Sequence, residues 1–180
     1  MNRKSLTKRQ KMVLSGDLFE LIVASKIQSL FDYPILIKRE FYDDRIHKSM
    51  ECDLILVTPF KIYCIECKSY NGYVSGSKFE TNWRFASSGR KSTVQNPYLL
   101  NKIRIRLIRG LFYNRDFNPP KVENLIVVPD YCNIHVGYDK IYNLTDFLNL
   151  IKIDSVTHKS IYKEHELSKF LFDNSSKRRS

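Results

Sequence analysis

The sequence predicts one α/β domain, a mixed β-sheet covered by helices on both faces. Three observations predict it. Apolar runs of strand length are interspersed with stretches of helix length. The runs at 52–57 and 61–68 are separated only by Thr58-Pro59-Phe60, short enough for an antiparallel hairpin. A helical stretch then stands between this hairpin and the apolar run at 123–128, which implies a crossover and a parallel pair of strands.

The elements follow in order. Residues 1–12 form a basic arm carrying Arg3, Lys4, Lys8, Arg9 and Lys11. Residues 14–31 read as a helix, apolar around most of its circumference and therefore expected to be largely buried. Gly16 would let it approach the sheet closely. Pro34 introduces a strand at 35–41, and the hairpin strands follow. The sequence NGYVSG then interrupts the pattern with turn residues. Asn96-Pro97 reads as a helix N-cap followed by proline at the first helical position, with the helix running to about residue 112. Leu100, Ile103, Leu107 and Leu111 form its expected core stripe. The run at 123–128 has the character of a strand covered on both faces. Short strands near 134–136 and 140–142 and helices at 146–151 and 161–172 complete the domain, taken as 13–172. A basic tail, 173–180, ends in Lys177, Arg178 and Arg179. Both tails are expected to be mobile.

The chain has 180 residues and a net charge of +11, which favours a polyanionic partner, nucleic acid before an anionic membrane. No stretch approaches the roughly 20 apolar residues that span a bilayer. The N-terminus does not read as a signal peptide, because Asp17 and Glu20 break its apolar run. Four cysteines set in apolar segments are not a disulfide framework, so a reducing cytoplasm is the expected compartment.

The chemistry concentrates at 51–72, ECDLILVTPFKIYCIECKSYNG. Strand alternation puts Glu66 and Lys68 on one face at the end of an apolar strand. Glu51 and Asp53 begin the preceding strand, and antiparallel pairing brings Asp53 beside Glu66 and Lys68 if the faces agree. Two close carboxylates repel unless a cation lies between them, and oxygen ligands suit Mg2+ or Mn2+. Such a cation lowers the pKa of its water, and a lysine alongside orients the nucleophile or stabilises developing charge. The other reading is a salt-bridge cluster at a strand end. Glu20 adds a carboxylate among Val23, Ala24 and Ile27 on the first helix, there to complete the acidic cluster or to pair with a lysine or arginine.

Asp53, then Glu66-x-Lys68 on a hairpin, resembles the PD-(D/E)xK nuclease superfamily. Gly16-x-x-x-Glu20, ECDLILV, IYCIECKSYNG, Trp83 and Asn96-Pro97 more narrowly resemble the nuclease-related domain, NERD. The resemblance covers roughly residues 16–150. It implies a restriction-endonuclease-like fold and a Mg2+-dependent nuclease that hydrolyses DNA. It implies Asp53, Glu66 and the backbone carbonyl of Cys67 as metal ligands, Lys68 as the catalytic lysine, and Glu20 as an aid to metal or water binding. The role of Glu51 is less defined. The chain departs from the family pattern at Cys52 and Cys67, where aliphatic residues are usual. It also lacks the glutamine often found after Asn96-Pro97, with Gln95 just before them instead.

Cys64 and Cys67 are three apart in a strand, so they face opposite ways and cannot share a zinc; buried packing is the better reading. The histidines are scattered, with no ligand spacing. Lys102, Arg106 and Arg109, with Arg104 nearby, read either as a phosphate-contacting ridge or as a solvated face. Tyr70, Tyr73 and Trp83 read as stacking partners for exposed bases or as packing residues. The expected partner is DNA, with a second copy of the chain as an option. The alternative function is a non-catalytic DNA-binding or assembly module that retains the fold.

Overall fold

The computed structural model describes residues 8–43, 47–113 and 120–177. Helix α1 (Lys8–Gln28) leads into strands β1 (Ile35–Asp43), β2 (Lys48–Val57) and β3 (Ile62–Cys67). β4 (Tyr73–Ser77), β5 (Asn82–Ser87) and β6 (Arg90–Gln95) precede helix α2 (Pro97–Gly110). β7 (Val122–Val128), β8 (Asn133–Gly137), β9 (Ile141–Asn143), α3 (Leu144–Thr157), α4 (Glu164–Asp173) and β10 (Ser176–Lys177) follow.

The main sheet has the order β10-β1-β2-β3-β7-β9. β2 and β3 are antiparallel, while β7 runs parallel to β3, as the crossover requires. Helices cover both faces. Phe19, Val23 and Ile27 of α1 and Phe147 and Ile151 of α3 pack on one side. Ile105 and Ile108 of α2 and Leu167 and Leu171 of α4 pack on the other. The hairpin turn is tied by Thr58, whose hydroxyl donates to the Lys61 carbonyl (2.7 Å) and accepts from the Lys61 amide (3.1 Å). Lys61 is buried, with Nζ 2.8 Å from Asp154 Oδ2 and 3.5 Å from Glu123 Oε1, so an ion-pair network joins α3 to the sheet.

Four expectations change. The stretch after Lys68 is not merely turns: β4, β5 and β6 join β8 in a second sheet, β6-β5-β4-β8. Its strands are short and apolar on one face alone, so the hydrophobic signal is thin. Ser88 and Gly89 both have positive φ (48° and 73°), the two-residue hairpin geometry that twisted strands favour. Gly76 leaves room for Trp83, since a Cβ there would lie 2.4 Å from the indole.

Helix α1 is not largely buried. Leu18, Leu21 and Ile22 are exposed, because the Phe19–Val23–Ala24–Ile27 stripe alone meets the sheet. Gly16 is not a close-approach residue either, for a Cβ there meets nothing within 4 Å.

The core face of α2 is shifted from the expected stripe. Pro97, Asn101, Ile105 and Ile108 are buried, whereas Leu100, Ile103, Leu107 and Leu111 flank them half-buried. A polar residue occupies the centre of this face because it is satisfied. The Asn101 amide donates to the Cys64 carbonyl (2.9 Å) and to Asn124 Oδ1 (2.8 Å), and its Oδ1 lies 3.1 Å from Cys64 Sγ. This rotation also carries Arg104 inward.

The terminal boundaries differ as well. α1 begins at Lys8, inside the expected basic arm, while residues 1–7 lie outside the described residues. In the expected C-terminal tail, Ser176 pairs with Glu40 and Lys177 with Arg39, adding an edge strand. Arg39 secures it by donating to the Ser175 carbonyl (2.7 Å) and hydroxyl (2.8 Å). Residues 178–180 lie outside the described residues.

Candidate active site

The site forms where β2 and β3 part. Their ladder runs from Val57↔Ile62 to Leu54↔Ile65 and ends there. Asp53 and Glu66 are the next residues. Asp53 Oδ2 accepts from the Cys67 amide at 2.9 Å, so a carboxylate bridges the strands beyond the last backbone pair. Lys38 on β1, opposite Asp53, has a φ of 49°, a further break in regular pairing.

Glu66 is almost fully buried, its side chain 2 % exposed. Lys68 Nζ lies 2.6 Å from its Oε1, and Arg104 of α2 forms an ion pair and hydrogen bond with its Oε2. Glu20 of α1 feels the charge of Asp53. Glu20 Oε2 is 3.4 Å from Lys38 Nζ but makes no hydrogen bond, although that oxygen is buried. The lysine counterion expected by the second reading of Glu20 is present, and its carboxylate also feels the charge of Asp53. Lys38 itself is drawn mainly to Asp17 Oδ1, at 2.6 Å.

The electrostatics follow from this crowding. Burial, and then the neighbouring Glu66, push the Asp53 carboxyl up to about 6 despite Lys68, the Cys67 amide and Arg104. Burial, and then Asp53, push Glu20 up to about 7 against the pull of Lys38. Burial alone would lower Lys68, but Glu66 and Asp53 outweigh it and hold the amine above its ordinary value. At neutral pH Lys68 is an ammonium ion, suited to donating hydrogen bonds rather than to abstracting a proton.

Glu20 carries a pH signature. Its folded-state value lies above the ordinary 4.5, so the folded chain holds this proton more tightly than the unfolded one. Its contribution to stability is complete below about pH 4.5 and is lost as pH rises through about 7. Glu20→Gln is therefore expected to flatten the fall in thermal midpoint of metal-free protein between about pH 5 and 8. A fall as steep as that of the parent chain would contradict this assignment.

The other sequence-predicted residues are distributed as follows. Lys102, Arg106 and Arg109 lie on the exposed side of α2, and Arg109 is tethered to the Val122 carbonyl (2.8 Å). Arg104 does not belong to that ridge. It is three residues from Asn101 and four from Ile108, so the rotation of the core face turns it onto Glu66. Glu51 stands opposite Glu40 in the β1–β2 ladder. Gln95 is exposed at the end of β6, opposite Asn82. Tyr70 packs on Phe85 with ring centroids 5.6 Å apart, and burial pushes its hydroxyl up to about 12. Trp83 is fully buried and donates from Nε1 to the Ser77 carbonyl, which makes it a packing residue. Cys64 and Cys67 sit in cores on opposite faces of the sheet, as alternation requires. Sequence reasoning missed Lys38; its one signal was a charge interrupting an apolar strand.

The profile of the nuclease-related domain, NERD, matches residues 15–129. This chain belongs to the NERD family. No curated protein and no solved structure matches it. The matched NERD segment contains Glu20, Asp53, Glu66, Lys68 and Arg104, so every group at the parting of β2 and β3 falls within it. The mixed α/β architecture is consistent with a restriction-endonuclease-like fold. The NERD match supports a nuclease-related function and a nucleic-acid substrate. Among the described residues no helix is long and apolar enough to cross a membrane.

Proposed function

We propose that the protein is a metal-dependent nuclease that hydrolyses phosphodiester bonds in DNA. One observation supports this reading most: Asp53, Glu66 and Lys68 meet where two strands separate. The donor set is oxygen-rich. Among the described residues, however, no three His, Cys, Asp or Glu side chains are grouped to hold an ion. A cation held here would rest on two carboxylates and complete its shell with water, as Mg2+ and Mn2+ do.

Asp53 and Glu66 would hold the cation, with the Cys67 carbonyl as a further oxygen and Glu20 assisting. When bound, it would lower the pKa of its water and offset phosphate charge. The Lys68 ammonium would orient the nucleophile and stabilise charge developing on the phosphate. Arg104 would fix the direction of Glu66. Lys102 and Arg106, exposed on α2, would contact DNA phosphates.

A second reading has its own observation. Both Glu66 oxygens are engaged by cations, as in a structural salt-bridge cluster, and that favours a non-catalytic DNA-binding module. No finding supports a homodimer. The two readings separate on incubating plasmid, linear duplex and single-stranded DNA with Mg2+, Mn2+ or EDTA. The nuclease reading expects cleavage with metal alone, and its loss in Asp53→Ala with DNA binding retained. Salt-sensitive binding without cleavage under any metal would decide for the module.

A further inference from the structure

We infer that the outer face of the second sheet is a stacking subsite for an unpaired nucleobase, with the flanking phosphates on Lys91 and Arg84. Its role in substrate choice rests on the nuclease reading, whereas its capacity to bind does not.

The registers of β4, β5, β6 and β8 define the face. One row across the sheet is Asn133, Tyr73, Ala86 and Lys91; the next is His135, Ser75, Arg84 and Thr93. Val74 in the row between them and Trp83 in the row beyond are fully buried. One side of this sheet is therefore core, and the other meets solvent.

On the solvent side Tyr73 is 42 % exposed. One face of its ring stacks on His135, with centroids 4.6 Å apart and planes inclined by 26°. The neighbour across the ladder on the other side is Ala86, too small to cover the ring. A groove of ≈ 490 Å3 results, floored by Ser75 and Ala86 and walled by Tyr73, Arg84 and Lys91. Its volume lies within the roughly 300–1,000 Å3 of small-ligand sites. An aromatic ring braced from behind, beside a small-residue floor and two cations, is suited to base stacking with phosphate contact. Inside a duplex the base faces are covered by their stacked neighbours and closed to such a ring.

The charges agree. The acidic side chain bound to this wall is Glu80, 3.4 Å from Arg84, and both are solvent-exposed. Exposed pairs of this kind contribute little, so Arg84 can exchange its partner for a phosphate. The position also agrees with the proposed site. Tyr73 follows Lys68 by five residues, a span of at most about 18 Å. Of the three aromatics singled out in the sequence, Trp83 is buried and Tyr70 packs on Phe85, which leaves Tyr73 for this role.

The test is fluorescence anisotropy in EDTA with oligothymidine, oligouridine and a blunt duplex. Tyr73→Ala is expected to weaken binding of at least one of the single strands by about tenfold and to leave the duplex within about twofold. Tyr73→Phe should retain affinity, and Lys91→Glu, a change at an exposed position, should weaken single-strand binding comparably. Single-strand affinities unchanged in both Tyr73→Ala and Lys91→Glu, or an equal loss for the duplex, would overturn the subsite. Tyr73-dependent binding by a protein that cleaves nothing would refute the nuclease reading and leave the subsite standing. Cleavage by a protein whose single-strand affinity is unchanged in both variants would do the reverse.

Discussion

Lys68→Ala is expected to lower DNA cleavage by about two to three orders of magnitude while DNA affinity changes less than about threefold. The size follows from losing one preorganised donor to charge that develops in the transition state. The separation from stability follows from Glu66, which keeps Arg104 as a partner when the lysine is removed. The Lys68 side chain is also 31 % exposed, so truncation admits water rather than leaving a sealed cavity. Lys68→Arg should keep the positive charge but misplace it, giving intermediate activity. The measurement is the single-turnover cleavage rate at saturating Mg2+, with binding followed separately in EDTA. Full cleavage in both Lys68→Ala and Asp53→Ala would mean that the chemistry lies elsewhere.

Arg104→Met is expected to reduce unfolding free energy by about 3 kcal/mol, the lower end of the cost of breaking a buried ion pair. Arg104 and Glu66 side chains are 11 % and 2 % exposed, so water cannot replace the lost guanidinium easily. Lys68 still compensates one oxygen, which holds the loss to the lower end. The double variant Glu66→Leu/Arg104→Met should recover part of it, because the under-compensated Glu66 carboxylate is gone and Lys68, 31 % exposed, can turn to water. Urea unfolding of the parent, both singles and the double measures the coupling directly. A single-variant loss below about 1 kcal/mol would place Arg104 among ordinary surface pairs. The contrast between the two variants is informative in itself: one cation on Glu66 is assigned to chemistry, the other to holding the carboxylate in place.

Some features were legible from local pattern. The Thr58–Lys61 turn and the Asn96 cap each depend on a few neighbouring residues, and the parallel relation of β3 and β7 follows from the helix between them. The opposed faces of Cys64 and Cys67 follow from strand alternation alone. Other features were not legible, because their signal is weak or distant. The second sheet has one apolar face and short strands, so its pattern resembles a polar loop until Ser88-Gly89 is recognised as a hairpin turn. The rotation of α2 could not be read from its apolar residues, because the centre of its buried face is Asn101. That choice is stable only with Cys64 and Asn124 in place to bond it.

The sequence by itself determined the composition of the candidate site: Asp53 before the turn, Glu66 and Lys68 after it, and Glu20 on the first helix. Alternation and hairpin pairing are properties of neighbouring residues, so a linear reading reaches them. The tertiary structure alone decided which further cations meet these acids. Arg104 moved from a presumed DNA ridge onto Glu66, and Lys38 came to lie between Asp17 and Glu20. The physical reason is that a buried charge must be compensated. The partner is supplied by whichever element the packing of the core turns toward it.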